Sequence, residues 1–204
     1  MIKFRNIKGT HDLLPEQVAI WRQVENIIHL IMEQNGFGEI RTPIFENTDL
    51  FIRGIGTDTD IVSKEMYSWT DQGNNLLTLR PELTAPVARA YIQHQLSNKN
   101  PMHRLYYLDT LFRRERPQKG RQRQFHQFGA EAIGSPNPEQ DAEIIAIAYN
   151  TFEKFKIKDM TVNLNSIGSP QIRTKYLNLL RSSLDKVQSK LCGTCQNRIE
   201  KNAL

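Results

Sequence analysis

The chain has 204 residues, with 27 Lys plus Arg against 22 Asp plus Glu and a formal net charge of +5. At 39% hydrophobic and 24% charged, with 11 Gly, 9 Pro and 2 Cys, it is neither a disordered tail, a collagen-like repeat nor a disulfide-dense scaffold. The length suits one substantial core with a small appendage. No window approaches the roughly 18–20 apolar residues of a membrane span, and Met1-Ile2-Lys3-Phe4-Arg5-Asn6 lacks the apolar run of a signal peptide, so a cytoplasmic protein is expected.

Taken in chain order, residues 16–34 set Val18, Trp21, Val24, Ile28 and Ile31 at helical spacing before Asn35-Gly36, which predicts a long amphipathic helix. Residues 39–42 read as a short strand ended by Pro43, which cannot donate a ladder hydrogen bond and so belongs at an edge or bend, suited to a dimer seam. The runs 63–69 and 76–80 flank Asp71-Gln72-Gly73-Asn74, turn chemistry that predicts a hairpin. A helix is expected over 86–96, then a strand over 105–112 that enters a basic segment and leaves it as another strand. Residues 138–155 place Ile144, Ile147, Ala148 and Phe152 on one helical face, with Asn137 as a candidate cap. A strand over 160–164 and a helix over 170–184 follow. Hairpins mixed with helices predict an α+β fold, a mainly antiparallel sheet flanked by helices.

The chemistry concentrates in 112–131. Arg113, Arg114, Arg116, Lys119, Arg121 and Arg123 crowd a hairpin whose tip holds Pro117 and Gly120. Flanking strands would hold these cations together against Coulomb repulsion unless an anion sits among them, and the planar guanidinium fork suits phosphate; a solvated basic loop is the alternative. On the exit strand Gln127, Gly129 and Glu131 share a face, the glycine leaving room between two polar side chains as the floor of a small-ligand site. Phe128, Ala130 and Ala132 face the other way, toward supporting helices. An inward carboxylate is costly unless satisfied, so Glu131 calls for a cationic or hydrogen-bonding ligand, or for a structural arginine.

In Leu79-Arg80-Pro81-Glu82-Leu83-Thr84, a strand ends and a helix is about to begin. Glu82 and Thr84 either cap that helix or hold an ammonium group. An arginine hairpin shaped for phosphate, beside a carboxylate and hydroxyl suited to an amino group, describes ATP next to an amino acid. Cys192 and Cys195 form a C-x-x-C pair, half of a zinc site or a redox pair. Tetrahedral zinc needs four ligands and no His stands near, which favours two reduced thiols.

These stretches resemble the histidyl-tRNA synthetases, of the class II aminoacyl-tRNA synthetases. The resemblance runs from Lys8-Gly9-Thr10 and Asp12-Leu13-Leu14-Pro15, through motif 1 at Phe37-Gly38-Glu39-Ile40-Arg41-Thr42-Pro43, to motif 2 at 112–131 and Asn165-Ser166-Ile167-Gly168. It implies the class II catalytic fold, a homodimer built around motif 1, and a two-step reaction using ATP and Mg²⁺ in which histidine is activated to histidyl-adenylate and transferred to histidine tRNA. It implies that Arg113 holds the α-phosphate and the histidine carboxylate as the catalytic arginine. Glu82, Thr84 and Gln127 would hold the α-amino group, and Glu131 would accept a hydrogen bond from the imidazole. Phe125 would stack on adenine, Glu115 contact it or its neighbouring groups, and Arg121 reach the terminal phosphates. Arg114, Arg116, Lys119 and Arg123 would meet the acceptor end of the tRNA or remain a solvated loop.

The family pattern continues into a second histidine-binding motif, motif 3 and an anticodon-binding domain that this sequence lacks. The expectation is therefore an amino-terminal catalytic fragment, with a core over 1–168 and the start of a following helical or insertion region over 169–204, impaired or inactive alone, with no bound zinc and no metal-ligating residues of its own. No membrane partner is expected. A non-catalytic regulatory paralogue that assists ATP phosphoribosyltransferase in histidine biosynthesis is the alternative. A plain RNA-binding module would explain neither the Gln127/Gly129/Glu131 face nor Glu82 and Thr84.

Overall fold

The computed structural model describes residues 4–56, 59, 61–166, 168–193, 195, 196 and 199. The first helix, α1 (Pro15–Gln34), has Pro15 at its first position, where a missing N–H costs nothing. Gln17 Oε1 accepts from the Leu14 N–H at 3.1 Å, and Ile28, Ile31 and Met32 are buried on the face the periodicity marked. β1 (Gly38–Glu39) follows, then β2 (Phe45–Asn47), α2 (Thr48–Ile55), a π-helical turn (Ile61–Glu65), β3 (Ser68–Thr70), β4 (Leu76–Leu79), α3 (Thr84–Gln93), β5 (His103–Phe112), β6 (Gln124–Ile133), α4 (Pro138–Lys154) and α5 (Pro170–Asp185).

Two three-stranded sheets form. One has the order β1-β5-β6, with β1 parallel to β5 and β5 antiparallel to β6; the other is antiparallel, with the order β2-β4-β3. The long β5–β6 hairpin has two distinct faces. On one, Tyr106 with Leu108, Phe128 and Ala130 packs against Ile28, Ile31 and Met32 of α1 and Ile144 and Ile147 of α4. On the other, Leu105, Tyr107, Leu111 and Phe125 pack against Leu83 and Val87. The compact unit that carries these sheets is Met1–Met160; Thr161–Leu204 forms a second unit, containing α5. No helix among the described residues is long and apolar enough to cross a membrane.

Several boundaries depart from the sequence expectations. The expected strand over 39–42 ends at Glu39, with the Ile40 N–H adding one further bond to the Tyr106 carbonyl at 2.8 Å. Thr42 is drawn out of the ladder because its carbonyl accepts from Arg80 Nη1 at 2.8 Å. The expected strand over 63–69 is a strand only over Ser68–Thr70, since Ile61–Glu65 coils into the π-helical turn and the Glu65 carbonyl accepts from the Arg114 N–H at 2.6 Å. The turn after β3 is as predicted: Asp71 Oδ1 accepts from the N–H groups of Gly73 and Asn75, both at 2.8 Å. α3 starts at Thr84 rather than 86 and stops at Gln93 because Gln95 adopts φ 49°, in the left-handed region. On α4, Phe152 is 42% exposed and its neighbour Thr151 takes the buried position, donating to the Ile147 carbonyl at 2.7 Å. Asn137 occupies the cap position without a side-chain capping bond. Residues 160–164 form no ladder with any described residue.

Arg80 is 2% exposed and organises the centre. Its Nε donates to the Thr110 carbonyl at 2.9 Å, its Nη1 to the Thr42 carbonyl at 2.8 Å, and its Nη2 pairs with Asp109. A buried guanidinium is tolerated only when its donors are spent in this way. Arg80→Met would leave the Asp109 carboxylate and two carbonyls without their partner, and should cost about 3–5 kcal/mol of unfolding free energy, read from urea midpoints. A loss below about 1 kcal/mol would show that the knot is not structural.

Candidate active site

The site is built where β4 hands over to α3, above the hairpin face that carries Tyr107. Leu83, the residue before α3, has no side chain able to cap it, and the Glu82 carboxylate does so instead, accepting from the Ala85 N–H at 3.1 and 3.2 Å. Capping and a half-buried carboxylate thus coincide in one residue. Thr84 does not cap; its hydroxyl donates to Glu131 Oε1 at 2.8 Å. The β5–β6 register puts Leu105 opposite Glu131, Tyr107 opposite Gly129 and Asp109 opposite Gln127, which sets Gln127, Gly129 and Glu131 on one face as the alternation implied.

The space above Gly129 is not open, contrary to expectation. A Cβ at position 129 would come within 2.4 Å of the Tyr107 hydroxyl oxygen, so the glycine is there to admit the tyrosine ring. Tyr107 Oη donates in turn to Glu131 Oε1 at 3.3 Å. Burial first, with the nearby carboxylates adding, pushes the Tyr107 phenol up to about 12 despite its contact with Thr84, so it is a donor at neutral pH. Burial also lifts the Glu82 carboxyl above the ordinary glutamate range, the N–H groups of Ala85 and Thr84 opposing this and the charge of Glu131 reinforcing it. Gln127 Oε1 is buried and, among the described residues, has no hydrogen-bond partner. Glu82, Gln127 and Glu131 therefore form an acceptor-rich subsite suited to a ligand with several N–H donors. Glu82 and Thr84 also line a cleft of about 640 Å³ with Leu50, Arg53, Ala88 and Ile92.

The remaining expected residues gather at the base of the basic hairpin. Arg113 Nε donates to the Pro81 carbonyl at 2.9 Å, tying the loop to the residue before Glu82, and its guanidinium lies over the Phe125 ring, 5.1 Å from the centroid. Glu115 sits between two cations. Arg113 Nη1 is 4.0 Å from its Oε1, and Arg121 Nη1 is 3.3 Å from its Oε2, an ion-pair distance without hydrogen-bond geometry. The tip is a tight turn closed by paired bonds between Gln118 and Arg121, with Gly120 at φ 79°. Gly9 anchors the loop from below: its carbonyl accepts from the Arg123 N–H at 2.7 Å, and a Cβ there would strike Arg123 and Pro117. Arg114, Arg116 and Lys119 point to solvent.

Two residues of this centre were not singled out from sequence, Tyr107 and the buried Arg80. Tyr107 was signalled only by an aromatic residue sharing a hairpin with a glycine, a cross-strand pairing known to seat a ring on the bare backbone. A second cleft, of about 560 Å³ between Thr10, His11, Trp21 and His126, contains Phe125 alone among the expected residues. Cys192 and Cys195 are exposed, and no three His, Cys, Asp or Glu side chains among the described residues stand together as a metal cage.

Comparison with known proteins identifies the family and the fold. The family model described as Histidyl-tRNA synthetase matches residues 9–191. The histidine–tRNA ligase of Moorella thermoacetica is 48% identical over 197 residues, covering 97% of this chain and 47% of that protein. The chain thus spans about half the length of the curated relatives it matches. Apo Staphylococcus aureus histidyl-tRNA synthetase superposes with a TM-score of 0.74 at 38% identity, over 98% of this chain and 46% of that one. A Bacillus halodurans protein described as an ATP phosphoribosyltransferase regulatory subunit/histidyl-tRNA synthetase has a TM-score of 0.68 at 23% identity, over 98% and 55%, a likeness of fold. The architecture is the α+β catalytic fold of the class II synthetases, and the chain belongs to the histidyl-tRNA synthetase family.

Proposed function

We propose that this chain carries the amino-acid and ATP subsites of a histidine–tRNA ligase. The observation that carries the reading is Gln127 Oε1, buried and without a partner among the described residues, beside the Glu82 and Glu131 carboxylates and one strand step from the Arg113–Phe125 pair. An acceptor-rich subsite next to an arginine surface fits a molecule with a cationic end, a donor ring and an anionic group to be joined to phosphate.

In this reading Glu82, Thr84 and Gln127 receive the α-ammonium, and Glu131 accepts from an imidazole N–H. Arg113, fixed through Nε to Pro81, offers its Nη groups to the carboxylate and the α-phosphate. A carboxylate oxygen of histidine attacks the α-phosphorus, an acyl–phosphate bond forms, and the bond to the bridging oxygen breaks to release pyrophosphate. A terminal ribose hydroxyl of the tRNA then attacks the carbonyl, losing its proton as AMP leaves. The chain supplies no nucleophile; its part is positioning and stabilisation of charge on phosphorus. Phe125 and Glu115 face the adenosine, Arg121 the terminal phosphates, and Arg114, Arg116, Lys119 and Arg123 the acceptor end of the tRNA. Mg²⁺ would neutralise phosphate charge, held by the nucleotide and water. Residues 1–168 make up the catalytic core of this reading, 169–204 the start of the next region, and two copies associate through the motif 1 segment in the cytoplasm.

Histidine-dependent exchange of pyrophosphate into ATP, with other amino acids as controls, tests the first step directly. Exchange with histidine alone is expected, in this chain or when the carboxy-terminal half of a relative is added. No exchange in either case, together with no histidine binding, would return the chain to the regulatory alternative. Glu131→Gln should weaken histidine by at least about tenfold while changing ATP affinity less than about twofold, because the nucleotide surface is untouched. Equal losses for both ligands would remove Glu131 from the histidine site.

Glu82 gives a pH-dependent outcome. A carboxyl whose value is raised on folding holds its proton more tightly in the folded chain, so its contribution to stability is present below the ordinary glutamate range and lost as pH rises through the folded value. Glu82→Gln keeps an oxygen for the Ala85 N–H and removes the charge. At pH 7 the ligand-free variant should melt about 1–3 °C higher than the parent, the difference closing near pH 4, while histidine affinity falls. A variant melting lower at both pH values would make the carboxylate a structural group.

A further inference from the structure

Glu131 is held by two donors on a single oxygen. Thr84 Oγ1 and Tyr107 Oη both donate to Oε1, at 2.8 and 3.3 Å, whereas Oε2 has no hydrogen bond among the described residues. The Tyr107 side chain reaches this point by crossing the strand over Gly129, in a space that any Cβ at 129 would occupy. It is 5% exposed and packed with Leu83, Val87 and Leu111, so its phenol has little freedom to turn away. A carboxylate free to rotate presents either oxygen to a ligand; one held in this way presents Oε2 alone, in one direction.

We infer that Tyr107 is a positioning residue for substrate selection: seated over Gly129, it fixes the Glu131 carboxylate so that only Oε2 is offered to the side chain of the bound amino acid. This rests on the reading of the site as a histidine site, and deepens it by naming what aims the ring acceptor. The chemistry selected is a side chain with an N–H in the plane of that one oxygen. A side chain with no N–H, or with one placed a bond length further out, loses the contact and leaves a desolvated anion unpaired. The elevated phenol value supports the assignment, because Tyr107 remains a donor to the carboxylate throughout the neutral range.

The test compares the chain with Tyr107→Phe, which keeps the ring over Gly129 and removes only the hydroxyl. Calorimetric titration with histidine and, separately, with ATP is run on the parent, Tyr107→Phe, Glu131→Gln and the double variant. Tyr107→Phe should weaken histidine by about five- to twentyfold and ATP by less than about twofold. In the Glu131→Gln background the same change should cost less than about twofold, since there is no longer an anion to aim. An unchanged histidine affinity in Tyr107→Phe, or losses that multiply in the double variant, would overturn the inference.

A ligand-free cycle separates its failure from that of the histidine reading. Gly129→Ala should lower the melting temperature markedly beside Tyr107 and at most about half as much in a Tyr107→Ala background. If the parent fails to bind histidine both alone and with the carboxy-terminal half of a relative added, the histidine reading falls, and the selection role falls with it. If the melts are additive, the seating of Tyr107 over Gly129 is wrong whatever the ligand.

Discussion

The Arg80 guanidinium ties together three segments that are distant in sequence. Its donors end on the carbonyls of Thr42 and Thr110 and on Asp109, while its own backbone receives from and gives to neighbouring strands: the Arg80 N–H donates to Ile44 and its carbonyl accepts from Phe112. A cation this deeply buried is stable only while every one of these partners is present, so the arrangement is close to all-or-none. The consequence for the site is geometric. Pro81 and Glu82 follow Arg80 directly, and the Arg113 side chain hangs on the Pro81 carbonyl. One buried ion therefore sets the distance between Glu82 and Arg113, the two residues proposed above for the amino-acid and phosphate sides of the site.

The β5–β6 hairpin divides labour between its faces. The side carrying Tyr106, Phe128 and Ala130 closes over α1 and α4, where burial of apolar area supplies stability, and Arg104 pins the arrangement through two bonds to Glu143 at 2.9 and 2.7 Å. The opposite side gathers acceptors that do not satisfy one another: Gln127 Oε1 has no donor among the described residues, and two carboxylates approach each other across Thr84. Such a surface costs free energy in the absence of a ligand. It is tolerated because the apolar face and the Arg80 knot hold the strands in register regardless.

Much of this was legible in the residues themselves. Helical spacing marked the buried face of α1, with Ile28 and Ile31 inward. Asp71 to Asn74 carried its turn chemistry in four adjacent residues, and period-two alternation placed Gln127 and Glu131 together. α2 was missed, although Asn47 before Thr48-Asp49 is a capping signal and its side chain does accept from the Asp49 N–H at 3.0 Å. These features depend on neighbours a few residues apart, which is why sequence determines them.

What only the tertiary structure decided depends on partners brought from far away. Continuing the register of the Gln118–Arg121 pair down the hairpin would set Thr110, not Tyr107, opposite Gly129, and a slip by an odd number of residues exchanges the faces. The irregular residues between tip and strands absorb that offset, anchored by Gly9 and Glu65, and no local pattern encodes it. Arg80 reads in sequence as one more surface cation. Residues 63–65 read as strand and lie instead in the π-helical turn Ile61–Glu65, whose last carbonyl meets the Arg114 N–H. The sequence by itself determined residue types and the faces they share, Gln127 with Glu131 among them, because residue type and short-range period are written in it. Folding decided which of them meet, because strand register and the burial of a charge are settled by long-range contacts that compete with, and here override, local preference.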